Sequence, residues 1–169
     1  MHVIDACFRR LSEISIPDLL GEIGVYVLWS GRAKARPSYI GEGNVLSRLV
    51  NHHDRFSKPF DGFAAVLSRA DVPWQRAKSN ATIVETLLLH VAHDTDRAPA
   101  ENLAPGSFRA LDELFERHGT ARVNVSGLDP LRAPEESPRI QGRKRIVLRS
   151  AAGEDIELEH DWRYRRRRE

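Results

Sequence analysis

The chain has 169 residues, 41% of them apolar and 30% charged, with a net charge of +2. That mix suits one globular domain with a sizeable core and excludes a disordered chain. No apolar run approaches the ~20 residues that span a bilayer, and the opening "MHVIDACFRRLSEIS" lacks the order of a signal peptide.

The single Cys7 cannot form an internal disulfide, and no Cys/His cluster has zinc-ligand spacing, so a reducing, cytoplasmic setting is expected. The small net charge is uneven. Residues 28–59 carry six Lys/Arg against two acids, and residues 139–169 carry ten against six. Two basic stretches on a nearly neutral protein fit a polyanion-binding surface, although solvated faces share that composition.

In chain order, residues 2–12 predict a short helix that ends before Pro17. "GVYVLW" (24–29) is β-branched and aromatic and reads as a strand, followed by a loop to Ser38 with Gly31 and Pro37. Tyr39 opens a second strand, expected to stop at Gly43. Asn44 then caps the helix "VLSRLVNHH".

"FDGFAAVLS" (60–68) predicts a third strand beside that hairpin, and residues 80–93 a second helix. "SFRALDELFERHG" has Ser107 before and Gly119 after an amphipathic helix. "GLDPLRAPEESP" (127–138), with three prolines, is the best linker candidate. Beyond it, residues 143–161 alternate apolar and charged side chains about a Gly-containing turn, the pattern of a β-hairpin.

Helical phasing sorts the candidate chemistry. Val45, Leu46, Leu49 and Val50 form one apolar arc, and His53 falls inside it as a packed residue. Arg48 and His52, four apart, share the opposite border with Arg55 close by. There an imidazole can serve a phosphate or its water, but a solvated face looks the same. Glu85 stands at the edge of an apolar helix face, where a carboxylate needs an arginine or a hard divalent cation. In isolation Tyr26 and Tyr39 read as core residues of strands, and Asn102 as a turn residue.

Together these residues resemble the GIY-YIG nuclease family. Gly24-Val25-Tyr26 is similar to the first motif and Tyr39-Ile40-Gly41 to the second. Arg48 and His52 match the following arginine and histidine, Glu85 the metal-binding glutamate and Asn102 the later asparagine. The resemblance covers roughly residues 22–105. The motifs stand twelve residues apart (27–38), slightly more than is usual, and Val25 replaces the customary Ile.

The resemblance implies an α/β (α+β) fold: a small three-stranded antiparallel sheet flanked by helices, here with a C-terminal helix and β-hairpin extension. The expected divisions are an N-terminal segment (1–21), the nuclease core (22–105), a packed helix (106–126), and a linker, basic hairpin and tail (127–169). The implied activity is endonucleolytic hydrolysis of DNA with one Mg²⁺ or Mn²⁺ on Glu85. Alternatives are a non-catalytic nucleic-acid-binding module, or a nuclease acting on single-stranded or branched DNA or on RNA.

In that scheme Tyr26, with a lowered phenol pKa, takes the water's proton or orients the water, and Tyr39 and His52 relay it. Arg48 grips the phosphate, the ion on Glu85 stabilises the leaving oxygen, and Asn102 supports the site. Arg32, Lys34 and Arg36 of the loop, Arg55, and Arg143, Lys144, Arg145 and Arg149 of the hairpin are the expected contacts to the nucleic-acid backbone.

Overall fold

The apolar run "IGVYVLW" is the centre from which the fold is built. The computed structural model describes residues 1–30, 35–56, 60–102, 109–151 and 155–164, the side chains of 54–56 and 60 excepted. Strand β2 (Ile23–Ser30) is buried at every position but the last. A strand covered on both faces reads as a continuous apolar run, and β2 does. It pairs antiparallel with β3 (Tyr39–Asn44) on one edge and with β4 (Phe60–Val66) on the other. Ile23, Val25, Val27 and Trp29 face helix α3 (Trp74–Asp94) in the larger core. Tyr26 and Leu28 face the opposite side, toward Leu19 of the short helix α1 (Ile16–Leu19) and Val45 of helix α2 (Val45–Phe56).

The expected three-stranded sheet is only one end of a larger one. Among the described residues the strands form a seven-stranded mixed sheet, ordered β3-β2-β4-β1-β5-β6-β7. Residues 2–12 form not the expected helix but strand β1 (His2–Arg10) and a 3-10 turn (Leu11–Glu13). Val3, Ile4, Cys7 and Phe8 fit a helical arc, but the buried set is Ile4, Ala6 and Phe8, with period two.

A distant partner decides between these readings. Residues 2–8 pair in parallel with β5 (Ala121–Gly127), and Arg9 and Arg10 pair antiparallel with β4. The hairpin β6 (Lys144–Ser150) and β7 (Ile156–His160) then extends the sheet from β5. It is part of the sheet rather than an extension of a finished domain.

The 127–138 segment is also no open linker. Asp129, Leu131 and Ala133 are buried, and Trp29 Nε1 donates to Pro130 O at 3.1 Å. Asp129 accepts hydrogen bonds from Trp162 Nε1 at 3.1 Å and Tyr164 Oη at 3.2 Å, tying the chain beyond β7 to the core. Arg97 lies over the Tyr164 ring, 3.7 Å from its centroid. Helix α4 (Leu111–His118) covers the β6–β7 end with Leu114; the expected cap Ser107 lies outside the described residues. Among the described residues no helix is long and apolar enough to cross a membrane.

Ile146, Leu148 and Trp162 are all buried in the same cluster as β1 and α3. Removing residues 139–169 is therefore expected to abolish the cooperative melt followed by circular dichroism. The milder Trp162→Ala should cost roughly 3–5 kcal/mol in urea unfolding. A truncated chain with a native-like melt would show that the hairpin is dispensable.

Candidate active site

Two glycines of edge strand β3 make the space in which the site forms. Gly41 pairs with Tyr26 in the ladder, and a Cβ there would collide with the Tyr26 hydroxyl and with the Tyr39 ring. The bare backbone lets the two rings lie nearly parallel, 6.0 Å between centroids. Gly43, at φ +123°, adopts a backbone that side chains disfavour, and a Cβ there would press on Arg48 Nε.

Helix α2 supplies the next residues. Asn44 Oδ1 accepts from Ser47 N at 3.1 Å, the capping expected from the sequence. From that start His52 turns inward and is 9% exposed, whereas His53 is exposed. The expectation that His53 is the packed histidine is thus reversed, because β2 and β3 cover the border that carries His52. His52 Nε2 lies 3.1 Å from Tyr26 Oη, and its ring is 4.5 Å from that of Tyr39. Arg48 is exposed on the same helix.

Asn102 acts on the backbone. Its Oδ1 accepts from Ile40 N at 2.8 Å and its Nδ2 donates to Ile40 O at 2.7 Å, so the amide occupies the free edge of β3. Ala100 N and Glu101 N donate to Pro37 O and Ser38 O just before it. The segment shields an edge that would otherwise offer unpaired backbone groups.

Glu85 is half-buried on α3, and among the described residues no ion pair satisfies it within 4.0 Å. Burial raises its carboxyl pKa to about 7; repulsion from Glu42 adds to this, and Arg109 and Arg48 oppose it. Tyr26 also moves upward. Desolvation is the main cause and Tyr39 adds to it; Arg48 pulls the other way, and Glu85 and Glu42 push further up. The lowered phenol pKa that the resemblance calls for is therefore not what this environment produces.

A hard carboxylate whose ionised form is disfavoured by burial suits magnesium or manganese, which relieve such a charge and keep much of their shell as water and phosphate. Glu85 fits that role. Among the described residues no group of three or more His, Cys, Asp and Glu is gathered in this way.

Tyr26, Tyr39 and His52 are thus in mutual contact, with Arg48, Glu85 and the unforeseen Glu42 within electrostatic reach of Tyr26. Arg109, which acts on Glu85, carries no sequence signal of its own, since it lies beyond the motif-bearing region. Of the expected backbone contacts, Arg36 is exposed. Arg32 and Lys34 lie outside the described residues, as does the side chain of Arg55.

The hairpin cations sit elsewhere. β6 is five strands from β3, about 24 Å along the sheet at the usual spacing. Arg145 pairs with Asp161 at 3.2 Å, and Arg149 reaches Glu159 at 3.2 Å and Glu157 at 3.7 Å. Lys144 stands over the Trp162 ring, and Arg143 is exposed. Comparison of the chain with protein-family models, curated proteins and solved structures found no match.

A carboxyl with a raised folded pKa destabilises the fold above that pKa and costs nothing below its unfolded value, near 4.5 for Glu85. Without divalent metal, Glu85→Gln should therefore be more stable than the parent at about pH 8, by ~2–3 kcal/mol in urea unfolding. The difference should shrink between pH 7 and 4.5 and vanish below. An equal advantage on the acid side would exclude ionisation as the cause.

Proposed function

We propose that the chain is a divalent-metal-dependent endonuclease of the GIY-YIG type, acting on DNA in a cytoplasmic setting. The observation that carries this reading is the meeting of Tyr26, Tyr39 and His52, drawn from three elements, with Arg48 and Glu85 in reach. A purely structural cluster has no need to bring phenol, imidazole, guanidinium and carboxylate together beside two glycines of one strand.

Phosphodiester hydrolysis needs an oriented water, a proton acceptor and cationic groups for the charge on the pentacovalent phosphorus. Because burial keeps the Tyr26 phenol protonated, the phenol passes a proton on rather than starting as a phenolate. Tyr26 Oη takes a proton from the attacking water while its own proton moves to unprotonated Nε2 of His52, 3.1 Å away. The water oxygen bonds to phosphorus, the bond to the 3′ oxygen breaks, and solvent protonates the departing oxygen. Tyr39 packs against His52 and holds the imidazole in place. Exposed Arg48 grips the non-bridging phosphate oxygens.

Glu85 would hold the Mg²⁺ or Mn²⁺, which supplies Lewis-acid stabilisation of the phosphoryl charge. Asn102 keeps β3, and with it Tyr39, in register. Arg36, with Arg32, Lys34 and Arg55, meets the nucleic-acid backbone near the site. Arg143 and Lys144 add to this at a distance, and the acid pairing of Arg145 and Arg149 weakens their part.

The test is incubation of the protein with plasmid, linear duplex, single-stranded and junction DNA and with RNA, in Mg²⁺ or EDTA. Cleavage of DNA only with metal is expected. Tyr26→Phe and Glu85→Gln should abolish it while DNA affinity persists, and His52→Ala should slow it by ~10²-fold. His53→Ala should stay near the parent rate. Cutting in EDTA, or full activity of Glu85→Gln, would overturn the site. A parent that binds DNA and cuts nothing would identify a binding module.

A further inference from the structure

Glu42 lies between the two glycines that shape the site and takes no part in the proposed hydrolysis. In the ladder it pairs with Val25, whose side chain lies in the core on the α3 side. Alternation along β3 sends Ile40 and Glu42 to that side and Gly41 to the side of the tyrosines. Glu85 is carried on α3, acts with Glu42 on Tyr26, and is itself acted on by Glu42. The two carboxylates therefore approach each other from strand and helix.

A glutamate on an edge strand can ordinarily turn to water. At Glu42 one oxygen does not: Oε2 is sealed from solvent and has no hydrogen-bond partner. Such an oxygen calls for a donor or a cation. Among the described residues neither Glu42 nor Glu85 has an ion pair within 4.0 Å. Arg48 and Arg109 influence Glu85 without closing on it. A sealed, unpartnered oxygen beside a second hard carboxylate is the donor chemistry of a small divalent cation, which takes one or two carboxylates and fills its shell with water.

We propose that Glu42 is a second ligand, beside Glu85, of one divalent cation held between β3 and α3. The inference rests on the nuclease reading for the cation's purpose, but its binding is measured without cleavage. A chain with this pair holds the ion before nucleic acid arrives, whereas a single carboxylate would leave the seat largely to the substrate.

The test titrates the full chain with MnCl₂ alone, by calorimetry and water-proton relaxation at about pH 8, and repeats thermal melts with MgCl₂. One Mn²⁺ site is expected. Glu42→Gln and Glu85→Gln should each weaken it by roughly tenfold or more, and the double variant should lose it. Glu42→Asp, which keeps the charge, should retain part of the affinity and so serves if Glu42→Gln folds poorly. Mg²⁺ should raise the melting temperature of the parent more than that of either Gln variant.

Parent-like Mn²⁺ affinity in folded Glu42→Gln would overturn the proposal, leaving the ion on Glu85 alone and the nuclease reading intact. A parent that binds no Mn²⁺ would also overturn it and would point to a shared proton between the carboxylates. Metal binding that depends on both residues, in a protein that cuts nothing, would sustain the proposal while the nuclease reading fails.

Discussion

Strand β1 joins two sheets that otherwise have no common member. Residues 2–8 pair in parallel with β5, and Arg9 and Arg10 pair antiparallel with β4. Its inward side chains Ile4, Ala6 and Phe8 lie in the cluster that runs from β2 to Ile146 and Leu148. The parallel ladder closes a loop of more than a hundred residues, and the entropy of that closure grows only slowly with length. What the closure makes possible is a single core under α3 and α4. Without β1, the β3-β2-β4 triplet and the β5-β6-β7 sheet would each expose an apolar face.

The two faces of the sheet then do different work. On the α3 side the apolar set is continuous from β2 to β6, which fixes the position of α3 and of Glu85 on it. On the other side α1 and α2 cover the triplet, and the smaller cluster there contains Tyr26 and Val45. Val3 and Cys7 of β1 are exposed on that side. The site therefore forms at the outer edge of the covered half. There Arg48 of α2 and Glu85 of α3 act on one another across a strand that carries two glycines. Asn102 and residues 100–101 hold that strand at its free edge, so the edge is not left unpaired.

Charge is distributed by the same architecture. The hairpin lies at the far end of the sheet from β3, and its cross-strand neighbours are acids, so opposite charges meet in the ladder. A sequence count sees a basic stretch where the fold builds neutral pairs. Near the site the balance differs. Arg48 and Arg36 are exposed, and no described acid pairs with either within 4.0 Å. These two guanidinium groups are offset by the carboxylates Glu42 and Glu85, so the site offers exposed cations to an anion without a net positive field.

Local features were legible in the sequence wherever they were determined by short-range chemistry. The strand pattern of "GVYVLW", the Asn44 cap and the alternation of the C-terminal hairpin all follow from neighbours in the chain. The grouping of Tyr26, Tyr39, Arg48, His52, Glu85 and Asn102 was legible only through motif resemblance, since no spacing rule joins residues so far apart.

Tertiary structure alone decided the rest. Nine residues of β1 carry both helical and strand periodicity, and pairing with β5 selects one. Three prolines made 127–138 look open, yet Asp129 needed the indole and phenol of Trp162 and Tyr164 to be buried. Which of His52 and His53 turns inward depends on the strands that α2 meets. That one Glu42 oxygen is sealed from solvent is likewise set by packing and not by the strand pattern. Sequence periodicity states which side chains share a face; only packing states what covers it.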